Sequence, residues 1–537
     1  MDSKMDKRNQ NIALSILLLV TFAIYFRTFE FDFVYDDWTI VVSNPHIKSW
    51  DYILQYFTKQ QWEGVHGSTA TYFRPMFLVW LRLNHAFFGI VPYGWHVMSV
   101  MTHLLAVYTA FQLSMKVFKQ WMSAWIASMV FALHPTKVEG VAWVTVPDAW
   151  MAIFAMGSMI AFLHWKELRE KKWMVVSLLS YTCSLLFKES VLLLPVLLMF
   201  HWMYTAREEE KTWKHAAMHV LPFGVVGSLY LVYRFLALGG FGQPQISLKA
   251  STLVATWPFA IWSYIKIMLL PLWLSPYYDA LYASKIGWEN FWKPCLYLMV
   301  FFVFFVMLYR WLRSQDNEAP FILTLGSLWV ALFLLPVMSL SSLNEYNYYH
   351  DRYLYLPSLG LAWVVAGLSE RLPTIRAKVA MALLLTFSLG ALSYQQNAHW
   401  RNDFDLFTQS VKIAPKSGPA SNNLATAYAY RGEDEAAIRV YEANIRINSE
   451  YWLCSYNLGL LRERRHEWPE AEKAYLHTVI LVPQDPNLWF RMGVAQEKQN
   501  KTMDALHSYQ VAARLFPESK QYQEAFEKLN AITPKIK

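Results

Sequence analysis

Two carboxylates stand side by side, Asp36 and Asp37, in the stretch FVYDDW, shortly after the first apolar run (Asn11 to Tyr25). Ionised groups lose hydration next to lipid, so an acidic pair at the end of a membrane segment is costly unless it is used or faces water. Two kinds of chemistry suit it. A carboxylate at a membrane surface can take a proton from a hydroxyl, or it can hold a metal ion. A solvated loop is the plainer alternative. The spacing of the pair does not choose among these readings.

Composition tells what must position the pair. Of 537 residues, 55% are hydrophobic and 17% aromatic, with 16% charged, and the mean hydropathy is +0.19. A water-soluble chain of this length builds its core with far fewer aromatics. Long apolar runs recur from Asn11 to Tyr394, which places most of the protein in a bilayer. The net charge of +8 is no nucleic-acid signature, because the basic residues cluster in short segments between apolar runs. The cysteines Cys183, Cys295 and Cys454 lie far apart and suggest neither a metal motif nor a disulfide framework. After the first run come Tyr25, Phe26 and Arg27 rather than a small-residue cleavage site, so an uncleaved first span is expected.

Candidate spans fall at roughly 12–27, 96–115, 121–135, 148–165, 173–187, 190–205, 216–237, 293–312, 320–341, 353–370 and 379–394. Basic clusters before the first span and after the second, fourth, sixth, eighth and tenth share one side if the N-terminus is cytoplasmic. That predicts about eleven spans with the C-terminus outside. The segment Ser251 to Leu274 is long enough to cross. Counting it as a span would put Arg310 and Arg313 outside, so it reads as an interfacial or re-entrant helix. Phe73 to Gly89 reads as an amphipathic helix on the outer face. On this map the unusual polar residues share the non-cytoplasmic side. They are Asp36, Asp37 and Arg74; His134, Lys137, Glu139 and Asp148; Lys188 and Glu189; Arg234; and Asn344, Glu345, His350, Asp351 and Arg352. Their grouping predicts one polar cleft at the bilayer boundary.

After Tyr394 the chain turns charged and helical, and a repeat emerges. Ala425, Gly459 and Gly493 are spaced by 34, as are Ala437, Ala471 and Ala505. The aromatics Phe407, Tyr441, Tyr475 and Tyr509 keep the same step, and Pro415, Pro483 and Pro517 close three units. Small residues where helices touch, an aromatic wedge and a turn proline form the tetratricopeptide pattern. Three full repeats over about 418–517 follow a half repeat at about 401–415. Such a solenoid has a concave face suited to a peptide. Simple support of the membrane part is the alternative.

The acidic pair, then YFRP, LHPTKVEGVAWV, FKES and DRYLYLPSLG, in that order and followed by the repeats, resembles the transmembrane and TPR-containing protein O-mannosyltransferases. These belong to the wider GT-C fold of polyprenyl-phosphate-sugar-dependent glycosyltransferases. The resemblance covers nearly the whole chain. The short repeat array is more similar to a bacterial relative than to the longer animal enzymes. It implies an all-α, polytopic membrane protein of the GT-C type with a catalytic domain over 1–396 and a non-cytoplasmic TPR α-solenoid over 397–537. It implies a bacterial inner membrane in preference to the endoplasmic reticulum.

The resemblance also implies a chemistry. Mannose or another hexose would pass from a polyprenyl-phosphate carrier to Ser or Thr hydroxyls of a secreted or membrane protein held by the TPR groove. No nucleic acid and no covalent cofactor take part. Asp36 or Asp37 would be the base of a single inverting displacement, and either would hold a divalent metal if one is needed. Arg74, Lys137, Lys188, Arg234 and Arg352 are candidates for the donor phosphate, whose growing charge they would stabilise.

His134, Glu139, Glu189 and Asp351 are further candidates, and each has a structural alternative. His134 would cap a helix ahead of Pro135, Lys188 and Glu189 would pair with each other, Asp351 would pair with Arg352, and Glu139 would be structural. Arg74 would snorkel from an interfacial helix. Two other functions stay open: the same donor with a lipid or glycan acceptor, and a non-enzymatic membrane scaffold whose repeats recruit partners.

Overall fold

The computed structural model describes residues 2–61, 72–240, 249–280, 282–315, 320–338 and 349–532, with side chains from residue 7 onward. Asn344 and Glu345, and the end of the expected span at 320–341, lie outside them. All regular structure among the described residues is helical. The chain divides into two compact units. One holds residues 1–276 and 280–402; the other holds 403–537 with the short segment Tyr277–Asp279.

The first unit contains α1 (Asp2–Tyr25), α2 (Pro75–Phe88), α3 (Pro92–Phe118), α4 (Trp121–Leu133), α5 (Lys137–Ala142), α6 (Asp148–Leu168) and α7 (Lys171–Phe187). It continues with α8 (Leu194–Thr205), α9 (Trp213–Leu238), α10 (Ala250–Leu269), α11 (Lys293–Gln315), α12 (Pro320–Leu334), α13 (Ser358–Ser369) and α14 (Ile375–Ala398). Among the described residues, eight helices are long and apolar enough to cross a membrane, and α4, α8 and α13 fall among three shorter apolar helices. This is an integral membrane protein. One of the eight is α10, the segment expected at the interface.

Prolines trim several expected spans. α4 stops at Leu133, just before Pro135. Glu189–Val191 forms a separate 3-10 turn, and α8 starts at Leu194 with Pro195 in its first turn. The expected span at 353–370 opens as a 3-10 turn, Asp351–Leu354, and α13 begins only after Pro357. A proline disfavours helical backbone at the residue before it and lacks the N–H that a helix interior needs.

α12 and α13 approach each other closely at two glycines. A Cβ on Gly326 would lie 2.5 Å from the Gly360 carbonyl oxygen, and one on Gly360 would lie 2.2 Å from that of Gly326. Backbones this close need glycine on both sides, as is common where helices meet in lipid. The stretch from His134 to Asp148, expected as an outer loop, is packed inside the unit: Thr136 and Lys137 are 0% exposed and Asp148 is 1% exposed. α5 lies within it, and a Cβ on Gly140 would sit 2.9 Å from the Tyr355 ring.

The second unit is a run of paired helices: α15 (Asp403–Ile413), α16 (Gly418–Tyr430), α17 (Asp434–Ile447), α18 (Trp452–Arg464), α19 (Trp468–Leu481), α20 (Pro486–Lys498), α21 (Thr502–Leu515) and α22 (Lys520–Ile532). The 34-residue spacing falls on equivalent contacts of successive pairs. Gly459 takes the Tyr475 ring, where a Cβ would lie at 2.5 Å, and Gly493 takes the Tyr509 ring, where it would lie at 2.7 Å. The tyrosine hydroxyls repeat as well, donating to Glu463 at 2.5 Å and to Glu497 at 2.6 Å. Within the same unit, the Asp279 carboxylate accepts from the Lys416 N–H (3.0 Å).

Candidate active site

The acidic pair sits on a four-residue turn. The Asp37 N–H donates to the Val34 carbonyl (3.1 Å), and the Val34 N–H donates back to the Asp37 carboxylate (3.2 Å). Tyr35, inside this turn, has φ +58°. That is left-handed backbone, which costs a non-glycine residue on the order of 1 kcal/mol or more. An edge-to-face contact with Trp143, with centroids 4.9 Å apart, holds the Tyr35 ring in place.

The two acids then differ. Asp37 is 0% exposed. Its Oδ1 accepts from the Thr145 N–H (3.1 Å) and hydroxyl (2.6 Å), so both its oxygens are engaged with protein. Asp36 is half-buried and its carboxylate makes no hydrogen bond among the described residues. Burial raises Asp36 to about 6, with the Arg352 guanidinium opposing the rise. Burial likewise raises Asp37, to about 8, against its three hydrogen bonds and with the Asp36 charge adding to the rise. The pair thus consists of one acid built into the backbone and one left available.

Arg352 is fixed by Glu139. The Arg352 N–H donates to Glu139 Oε2 (3.0 Å), its Nη1 donates to Oε1 (3.2 Å), and its guanidinium lies 4.3 Å from the Trp143 ring centre. His350 Nδ1 lies 3.1 Å from the same Glu139 oxygen. Burial works to raise the Glu139 carboxyl, but His350 and Arg352 outweigh it and hold the group below the usual carboxylate range. Burial pushes His350 down to about 4, helped by Arg352. Glu139 therefore ties the Arg352 guanidinium and the His350 imidazole into one buried cluster.

Lys188 donates to Asp148 Oδ1 (2.6 Å), and its Nζ lies 4.8 Å from the Tyr353 ring centre. Arg74 lies 4.0 Å from Glu189 and 4.4 Å from the Tyr72 ring centre. Arg234, near the end of α9, is a second positive charge acting on Glu189. Burial works to raise Glu189, and Arg74 and Arg234 hold it low. Lys188 also senses Arg74 and Arg352. Asp36, Arg352, Lys188 with Asp148, and Arg74 with Glu189 and Arg234 thus form one electrostatic chain.

The structure places the other expected residues differently. Lys137 is fully buried; its ammonium donates to the Tyr355 carbonyl (2.6 Å) and to the Ser358 hydroxyl, between the Phe131 and Tyr355 rings. His134 closes α4, with Nδ1 2.8 Å from the Thr136 hydroxyl and Nε2 3.0 Å from the Met268 carbonyl. Lys188 and Glu189 do not pair with each other. Lys188 is extended (φ −164°, ψ 133°), which sends adjacent side chains to opposite sides, and each finds its own partner. Asp351 is buried at the start of its turn, while Arg352 pairs with Glu139.

Tyr35, Trp143 and Tyr353 lie inside the motifs FVYDDW, LHPTKVEGVAWV and DRYLYLPSLG, and Thr145 directly follows the second, but none of the four was expected in the site. The nearest signals were the adjacency of Tyr35 to the acids and of Tyr353 to Arg352. Among the described residues, no group of three His, Cys, Asp or Glu side chains is placed to hold a metal.

No family model matches the chain. A protein O-mannosyl-transferase of Caenorhabditis elegans, F38B6.6, is 24% identical over 456 residues, covering 83% of this chain and 64% of that protein. The human protein O-mannosyl-transferase TMTC4 is 22% identical over 488 residues, covering 80% and 65%. The chain thus spans somewhat less than two thirds of the length of these relatives. An oligosaccharyltransferase of Archaeoglobus fulgidus, solved in the apo form, aligns with 77% of this chain and 59% of that one at 11% identity, with TM-score 0.42. Over most of its length, the chain is a homologue of proteins named protein O-mannosyl-transferases.

Proposed function

We propose that the protein is a membrane glycosyltransferase that moves a hexose, mannose being the first candidate, from a polyprenyl-phosphate carrier to a Ser or Thr hydroxyl of a protein. Asp36 is the base. Its carboxylate takes the hydroxyl proton as the oxygen bonds to the anomeric carbon and the bond from that carbon to the phosphate oxygen breaks. One displacement inverts the sugar and releases the polyprenyl phosphate. Asp37 positions Asp36 through the turn and Thr145. Arg352, Lys188, Arg74 and Arg234 supply positive charge for the leaving phosphate, while Lys137 and His134 belong to the frame. The observation that carries this reading is the contrast within the pair: Asp37 has both oxygens bonded to protein, and Asp36 has a carboxylate with no hydrogen bond among the described residues, within the field of a fixed guanidinium.

In the same reading the paired helices after Asp403 present the acceptor on the non-cytoplasmic side, in a bacterial inner membrane. If a divalent metal takes part, Asp36 is the carboxylate that would hold it, since both Asp37 oxygens are bonded to protein. The test is transfer of labelled hexose from a polyprenyl-phosphate donor in membranes containing the full chain. Loss of transfer in Asp36→Asn with normal insertion and thermal midpoint supports the assignment. Full transfer by that variant removes Asp36 as base. Labelled sugar found on lipid or glycan rather than on Ser or Thr removes the protein acceptor.

A further inference from the structure

The far ends of α3 and α6 take no part in this site. α6 starts at Asp148, in the Asp36 network. From there to Lys166 is about 27 Å at 1.5 Å per residue, close to the ~30 Å hydrocarbon thickness of a bilayer. At that far end lies a cavity of about 940 Å³, bounded by the last turns of α3, α6, α8 and α13 and the start of α12.

Its walls combine two characters. Leu163, Leu312, Phe321 and Leu323 line it with apolar surface. The charged lining comprises seven cations and four carboxylates. Three cations are neutralised locally: Lys116 by Glu167 (2.6 Å), Arg169 by Glu210 (2.6 Å) and Lys211 by Glu208 (3.0 Å). Lys119, Lys166, Arg207 and Arg371 have no carboxylate within 4 Å among the described residues.

Two further features concentrate the charge. Lys166 and Arg169 both lie 5.3 Å from the Trp202 ring centre, so one indole holds two cations near each other. Lys119 and Arg169 close their helices at φ +57°, a left-handed position that glycine fills with less strain. Helix dipoles favour cations at C-terminal ends, and basic residues favour one face of a membrane. Neither effect gathers an uncompensated excess around a cavity with an apolar wall. Low-dielectric walls focus such a field on an anion.

We propose that this cavity binds a phosphate-bearing anion, carried on a lipid whose chains follow the apolar wall, at the end of the membrane unit opposite Asp36. The lipid is preferred over a free anion because charged and apolar linings share one cavity, as in basic pockets between spans that take phospholipid headgroups.

The test uses the full chain purified in detergent, with dioctanoyl phosphatidylglycerol, dioctanoyl phosphatidylcholine and inorganic phosphate as separate probes. The expected result is a saturable rise in thermal midpoint with phosphatidylglycerol, absent with phosphatidylcholine. Arg207→Gln combined with Arg371→Gln should weaken the apparent affinity roughly tenfold without changing the unliganded midpoint. If inorganic phosphate gives the same saturable rise, the phosphate site stands and the lipid source falls. Equal responses to the two lipids, or unchanged affinity in the double variant, overturn the proposal. Should the double variant fail to fold, Lys119→Gln and the contrast between lipids on the unaltered protein decide it.

Discussion

The charged pair Lys188 and Asp148, in the network around Asp36, is buried in the membrane unit, whereas the charged pair Arg464 and Asp434 of the helical repeats lies nearer the surface. Lys188 and Asp148 have side chains 6% and 2% exposed and meet at 2.6 Å. Arg464 and Asp434 meet at 2.5 Å with side chains 55% and 23% exposed. The separations are alike and the consequences are not. Removing one partner of a buried pair strands a charge without water, while an exposed pair is screened on both sides. Glycine makes the same division: Gly360 meets a backbone carbonyl that cannot swing away, and Gly493 meets a tyrosine ring. The membrane unit uses these features to hold a site rigid, and the repeats use them to stack one pair of helices on the next.

The largest expected effect falls within the acidic pair. Asp36→Asn should lower hexose transfer by roughly 10²- to 10⁴-fold, the usual contribution of a general base, and leave the thermal midpoint in place. Asp37→Asn should lower the midpoint as well, because it disturbs the bonds to Thr145 and Val34. Identical behaviour of the two variants in both assays would erase the distinction between them.

Charge pairing comes next. Lys188→Gln should destabilise the protein by about 3–5 kcal/mol, and adding Asp148→Asn should recover part of the loss. Thermal unfolding in detergent reads both. Arg464→Gln should cost only about 0–1 kcal/mol in the same experiment. Comparable losses for Lys188→Gln and Arg464→Gln would break the contrast between the two units.

Alanine at the close-packed glycines gives a smaller effect. Overpacking costs roughly 1–3 kcal/mol. Gly360→Ala should reach the upper end, since its Cβ would lie 2.2 Å from the Gly326 carbonyl oxygen, and Gly493→Ala the lower end. The smallest effect is on pH dependence. A base works when deprotonated, so transfer should fall as pH drops through about 6, where burial places Asp36. Arg352→Gln removes the charge that holds this value down and should move the acidic limb to higher pH. A limb unmoved by that substitution would argue that Arg352 does not act on the base.

The repeats were legible because their contacts recur at a fixed step. Gly459 with Tyr475 and Gly493 with Tyr509 are local pairs, and each copy restates the last. The apolar helices were legible for a similar reason: a bilayer demands length and composition from each one separately. Their ends were less so, since Pro135, Pro195 and Pro357 cut the helices inside apolar runs that hydropathy reads as continuous.

Sequence alone determined that this is a helical membrane protein with a repeated helical tail and an acidic pair beyond its first span, because composition, period and adjacency are properties of neighbouring residues. Which acid is built into the turn and which stays available was decided by tertiary structure. Thr145 stands 108 positions from Asp37, and Glu139 stands 213 positions from Arg352. Buried polar groups must find partners wherever the fold brings them, and no local spacing records that choice.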